Sequence, residues 1–199
     1  MMTSSRVQSF RWATITIAAS LGLFVACGDS AKPAAKLEPT ATTQVAATTA
    51  ATPVDFVATE ATFVNLKKMT PVRFFFVSNG LGNLEETLKV ARSKDGGVYP
   101  VGSIVQLVPQ EAMVKRAKGF NPAGNDWEFF FLDIDEKGTT IVSRGKNEVK
   151  NRFDLQCSAC HAAAEPKWDF ICEADHGCAA LPIGRDIIKV IQDADTRPL

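Results

Sequence analysis

The sequence lacks a net charge: 22 Lys and Arg residues balance 22 Asp and Glu residues in a chain of 199. No basic stripe stands out, and no pattern of aromatics interleaved with arginine, which excludes a nucleic-acid partner. Histidine is scarce, with only His161 and His176, and no methionine follows Met113. No apolar run reaches the length of about 20 residues that a membrane span needs. The run at residues 12–27 falls short of it. No acidic residue precedes Asp29, and no segment repeats.

What is present at the N-terminus reads as an export signal. Arg6 and Arg11 supply positive charge around the start of "WATITIAASLGLFVAC", which suits the apolar core of a signal peptide. Small Ala26 stands just before Cys27, and "LFVAC" resembles a bacterial lipobox. That resemblance implies a signal peptide over 1–27 and lipidation of Cys27 as the first mature residue. The alternative is ordinary cleavage nearby, with Cys27 discarded or left free. Residues 28–53 are Ala, Thr and Pro with almost no large apolar residue. Such a segment cannot offset its ordering entropy by burial, so it is expected to be a flexible tether. The expected location is the periplasm, with the membrane engaged only through the N-terminal lipid. Residues 54–199 have the length of one domain.

The five cysteines divide cleanly. Cys27 goes to the lipid, Cys157 and Cys160 form a CxxC pair, and Cys172 and Cys178 remain in "CEADHGC". In an oxidising space the last two are expected to form a disulfide.

The domain reads as α+β, an antiparallel sheet with flanking helices and the motif-bearing helix near the C-terminus. "VRFFFVS" (72–78) and "SIVQLVP" (103–109) are expected strands, and "WEFFFLDI" with "TTIVSRG" an expected hairpin around 135–138. Residues 83–93, 110–119 and 184–194 are expected helices, and 146–164 is helical in character. Trp127, Phe129 and Phe131 fall on one strand face, as do Phe74 and Phe76 on another, while Phe75 and Phe130 point the opposite way. Plain sheet core explains each ring. A sheet apolar on both sides still needs cover on each: helices, a partner subunit or a flat apolar cofactor.

"LQCSACHAAAEP" (155–166) carries the chemistry. Two thiols three apart, with a histidine directly after the second, suit covalent haem c. Cys157 and Cys160 would form the thioethers and His161 the proximal iron bond, all on one helical turn. Two other readings stay open. A redox dithiol also uses CxxC, though usually at a helix start after a strand with large residues between the thiols; here Ser158 and Ala159 are small. A zinc site would need Cys172 and Cys178 as well, and they are six apart rather than three.

With "YPVGSIVQLVP" and "NDWEFFFLD" preceding a C-terminal CxxCH, residues 72–163 resemble the cytochrome P-460 family and its cytochrome c′-beta relatives. The resemblance implies a homodimer built on the sheet and a single haem c bound on its proximal side only. The open distal side would take small ligands such as NO, CO, other nitrogen oxides or hydroxylamine, and a redox partner protein would exchange electrons with the haem. In the P-460 branch a lysine of the strand after "YPxG" crosslinks the haem. Here that strand, 103–108, has no lysine, and Lys115 is the nearest, in an expected helix. The closer analogue is therefore the uncrosslinked c′-beta type, with an apolar, aromatic distal pocket.

The sixth position on the iron separates an electron carrier, which fills it, from a ligand binder or an enzyme, which leaves it open. Met69, Met113, His176 and some lysines are the candidate ligands, and Phe74 and Phe129 are candidate distal rings. Plainer roles are a surface or core-edge residue for Met69, core for Met113 and the rings, and an exposed loop residue for His176. Glu128 and Asp133 are conceivable distal acids, and Arg144 and Lys146 conceivable propionate partners. The leading expectation is an exported mono-haem cytochrome that binds small ligands or exchanges electrons. The alternatives are an oxidoreductase acting on hydroxylamine or peroxide and a haem-free thiol–disulfide protein. The Cys172–Cys178 disulfide is expected to staple the segment behind the motif.

Overall fold

The computed structural model describes residues 54–199. The signal peptide, Cys27 and the tether over 28–53 lie outside the described residues. The expected α+β architecture is observed. Six strands form one antiparallel sheet in sequence order: β1 (Thr70–Val72), β2 (Phe75–Asn79), β3 (Ser103–Gln106), β4 (Glu111–Lys115), β5 (Trp127–Asp135) and β6 (Gly138–Gly145). Helices α1 (Leu84–Ala91), α2 (Cys157–His161) and α3 (Arg185–Asp193) accompany it. No helix among the described residues is long and apolar enough to cross a membrane.

Both faces of this sheet are buried. One face gathers Val77, Val105, Met113, Trp127 and Phe129, with Phe131 at its margin, under α1 and Ile171. The other gathers Ile104, Val114, Phe130 and Leu132 beneath Phe63, Leu66 and Met69. This accounts for the run Trp127–Phe131: alternate rings enter opposite cores, and each must be apolar.

The hairpin of β5 and β6 turns where expected. The Asp135 carboxylate accepts from the Lys137 and Gly138 amides at 2.7 and 3.1 Å, and Gly138 supplies φ 142°. The α1 and α3 helices also form close to their expected bounds.

Three expectations fail. The stretch 72–78 is not one strand, because the chain reverses at Arg73–Phe74 and Val72 pairs with Phe75. Arg73 takes φ 51° and is held there by Glu173, at 2.9 and 3.1 Å from its Nε, and by the Ala91 carbonyl. Phe74 thus sits in a turn, 36% exposed under the Arg185 guanidinium, rather than sharing a face with Phe76.

The expected helix at 110–119 is strand β4. "EAMVK" has good helix propensity, but its alternate residues Ala112 and Val114 complete one core and Met113 the other. It also satisfies the backbone of both β3 and β5. Burial and ladder bonds outweigh propensities worth only tenths of a kcal/mol per residue.

Residues 146–156 are irregular, and only Cys157–His161 is helical. Asn151 explains part of this. Its side-chain oxygen accepts from the Phe153 and Leu155 amides, an arrangement that competes with helix.

On the second face Glu128 is buried between Arg116 (2.5 Å) and Arg144 (2.7 Å), and Arg116 also grips Asp55 at 2.6 Å. The hydrogen bond from Arg116 lowers the Asp55 carboxyl from its ordinary 3.8 to about 2. A carboxyl depressed by folding adds stability above its unfolded value and loses it as pH falls through the folded one. The stability gap between the native protein and Asp55→Asn should therefore be widest above pH 4. It should close as pH falls toward 2, as read from urea midpoints at stepped pH. A gap independent of pH would mean that the Asp55–Arg116 pair does not form.

Candidate cofactor site

Helix α2 is a single turn that presents the motif. The Cys157 amide donates to Val149 O at 3.0 Å, and Ser158 Oγ donates to Asn147 O at 3.2 Å. These bonds tie the turn to the strand exit after β6. Cys157 and Cys160 are three apart and Cys157 and His161 four apart, so the three side chains lie along one side of the turn. Cys160 is exposed and Cys157 half-buried, and both are free thiols. Burial, and then the nearby Glu111 carboxylate, push the Cys157 thiol up to about 11.

The imidazole of His161 is aimed by its surroundings. Its Nδ1 lies 2.7 Å from the Phe170 carbonyl. A carbonyl can only accept, so Nδ1 carries the proton and Nε2 the lone pair. A histidine ligating through Nε2 requires this tautomer, with a carbonyl behind it. The Phe129 ring packs against the imidazole at 5.6 Å, which places His161 on the first sheet face. Burial lowers the imidazole pKa below its ordinary value and the Phe170 carbonyl opposes it. The ring is therefore neutral and able to bind a metal near neutral pH.

The Phe170 carbonyl is itself held by an unusual backbone. Asp169 and Phe170 are consecutive left-handed residues, at φ 50° and 68°. Such conformations cost of order 1–2 kcal/mol each for residues with a Cβ, and they persist only where the surroundings enforce them. Asp169 is buried, and its carboxylate accepts from Lys115 Nζ at 2.7 and 2.8 Å and from the Tyr99 amide at 2.8 Å. Its main-chain carbonyl accepts from Trp127 Nε1 at 2.6 Å.

Lys115 is therefore neither helical nor free. It lies in β4 with its ammonium on Asp169 and on Asn125 O. Burial pushes the Asp169 carboxyl up and the Lys115 ammonium down, and the attraction between them opposes both shifts.

Cys172 and Cys178 are disulfide-bonded. This removes two of the four sulfurs that a zinc site would need. His176, inside that loop, is buried rather than exposed. It stacks on Trp168 at 3.8 Å and 6°, and its Nδ1 donates to Ile171 O at 2.7 Å. Adjacent carbonyls, Phe170 and Ile171, thus orient the two histidines.

The remaining candidates disperse. Met69 packs on the second face, away from His161, whereas Met113 lies on the first face beside Phe129. Phe129 touches the His161 ring itself. Glu128 and Arg144 pair with each other on the second face, and Asp133 is exposed. Lys146 lies over the Phe120 ring.

Sequence reasoning missed Glu111, which shares the face of Met113, Phe129 and Phe131. Burial raises its carboxyl pKa. The residue was legible only to a reading that made 111–115 a strand.

Comparison with protein-family models, with curated proteins and with solved structures returned no match.

Exposed Cys160 should be labelled by iodoacetamide ahead of Cys157, which should react only above about pH 10, because its thiol is pushed up to about 11 and the thiolate is the nucleophile. Peptide mass mapping reads this directly. Equal labelling of both thiols at pH 8 would contradict the placement of Cys157.

Proposed function

We propose that residues 54–199 form a mono-haem c-type cytochrome domain of the P-460/c′-beta kind, with an open sixth position on the iron for small ligands such as NO or CO. The observation that carries this reading is His161, whose Nδ1–H is committed to Phe170 O at 2.7 Å, which leaves Nε2 as the ligating atom. The donor set fits haem c: two unpaired thiols on one turn, then an oriented neutral imidazole. The side chains of Phe153 and Leu155, just before Cys157, are 71% and 55% exposed, and an apolar macrocycle attached at Cys157 is suited to cover them.

When bound, the haem supplies the iron that takes the small ligand or the electron. Cys157 and Cys160 would hold it covalently, and His161 would offer Nε2 to its iron. Tyr99 and Trp127 bond to Asp169, the neighbour of Phe170, whose carbonyl meets the imidazole. The expected small-ligand partner, redox partner protein, homodimer, export to the periplasm and lipidation at Cys27 belong to the same reading.

Two competing readings lose ground on physical terms. A thiol–disulfide exchanger needs a thiol made more acidic than usual, and Cys157 is shifted the other way. A crosslinked haem needs a free lysine, and the ammonium of Lys115 is held by Asp169.

Protein made with c-type maturation should give a broad high-spin reduced spectrum that shifts on adding CO. His161→Ala should keep the covalent haem but lose that spectrum. A colourless product would sink the haem reading. A sharp low-spin spectrum insensitive to CO would sink the open site.

Glu111 favours a second reading, an enzyme that oxidises hydroxylamine or reduces peroxide. A half-buried carboxyl on the face where His161 packs, its pKa raised by burial, is a candidate proton donor or acceptor. Glu111→Gln should then lower turnover by about 10²-fold or more and leave the CO-bound spectrum unchanged. Wild-type protein without turnover on either substrate would leave the binder reading alone.

A further inference from the structure

Lys115 and Trp127 face each other across β4 and β5 as one rung of the sheet. Both side chains reach the same residue outside the sheet. Lys115 Nζ holds the Asp169 carboxylate, and Trp127 Nε1 holds the Asp169 main-chain carbonyl. One rung therefore fixes both the side chain and a peptide plane of Asp169. The next peptide plane is that of Phe170, whose carbonyl accepts from His161. Beyond it the chain is fixed again, by Ile171 N donating to Trp168 O at 2.9 Å and by His176 Nδ1 donating to Ile171 O at 2.7 Å. Phe170 is the one residue of this stretch with no bond of its own except the one to His161. Its left-handed backbone is imposed from both sides.

From this geometry we infer that the Lys115–Trp127 rung is a positioning device for His161. By gripping Asp169 it sets the Phe170 carbonyl, and through that hydrogen bond it sets the tautomer, aim and donor strength of the proximal imidazole. The inference rests on the haem reading above. Neither Lys115 nor Trp127 touches His161 in this arrangement. Their effect passes through one main-chain carbonyl. Partners behind a ligating histidine raise its basicity, and a more basic axial ligand favours the oxidised iron. Loosening the grip should therefore raise the reduction potential and weaken the iron–histidine bond.

The test uses the haem-loaded protein, with a redox titration and the iron–histidine stretching band of the reduced form. Asp169→Asn should shift the oxidised-to-reduced equilibrium by about tenfold, or about 59 mV for one electron, towards the reduced form. It should also lower the stretching frequency. Trp127→Phe keeps most of the apolar bulk but removes the donor to Asp169 O, and it should shift both readouts the same way by less.

Glu128→Gln is the control. It damages a buried ion network on the opposite sheet face and should cost stability with neither readout moved. An Asp169→Asn protein with the native potential and band would overturn the inference, as would an equal shift in Glu128→Gln. Should Asp169→Asn fail to fold, an unchanged band in Trp127→Phe is enough to overturn it. A wild-type protein that carries no haem would show no band and no titration at all. That outcome removes the haem reading itself and this inference with it.

Discussion

The buried pair of Lys115 and Asp169 is the constraint on which the site depends. The two side chains are 7% and 2% exposed, so both charges leave water, and desolvation consumes much of their mutual attraction. Its main effect is therefore on geometry rather than on net stability. Asp169 lies far along the chain from β4, in a segment whose regular structure is limited to short turns at Pro166–Trp168 and Ala174–His176. Without the pair, nothing in that segment's local sequence would hold two left-handed residues in a row. With it, the segment lies against the sheet in one register, and the carbonyl behind His161 has one direction. The cost of the strained backbone is met by bonds from Lys115, Tyr99 and Trp127 acting on a single residue.

The second face repeats the device with different residues. Asp195 and Arg197, both buried, bond to each other at 2.7 Å. Asp195 also accepts from Leu66 N, and Arg197 donates to Phe63 O. The chain end is thereby pinned to the segment that covers that face. The second face is thus covered by irregular chain, and the first by irregular chain together with the short helix α1. Each cover is registered by a buried carboxylate that satisfies main-chain amides. This follows from a sheet whose strands are apolar on both sides. Irregular cover brings many backbone polar groups into the core, and every one needs a partner.

The parts of the fold that were legible are those whose signals are local. The β5–β6 hairpin was readable from alternating aromatics around Asp135 and Gly138, α3 from its periodicity, and the Cys172–Cys178 bridge from spacing and the expected compartment. What was not legible depends on distant residues. Glu111–Lys115 looks helical in isolation and becomes a strand because β3 and β5 leave a gap that only a strand fills. The reversal at Arg73 depends on Glu173, a hundred positions away. His176 looked exposed because its loop is polar, and it is buried because Trp168 offers a flat face. At the site, Cys157, Cys160 and His161 were readable as a motif. Lys115, Trp127, Asp169 and Phe170 were not, since nothing in their spacing announces that they meet. Glu111 was hidden by the same strand-for-helix error that misplaced Lys115.

That error bears on chemistry as well as on topology. Once β4 is a strand, Lys115 stands on the sheet face shared with Trp127 and Phe129, the face on which His161 packs, so the expected helical placement no longer argues against a bond to a haem. Its protonation does. An amine must be neutral to attack carbon, and neutralising Lys115 in place would leave Asp169 buried with a charge and no partner, a loss of about 3–5 kcal/mol for a broken buried pair. Swinging Lys115 away would cost the same and would also release the grip on Asp169 that aims the Phe170 carbonyl. A lysine that bonded to a macrocycle would thus weaken the support of His161. In this chain the two roles compete for one residue, and the ion pair is the role for which its partners are arranged.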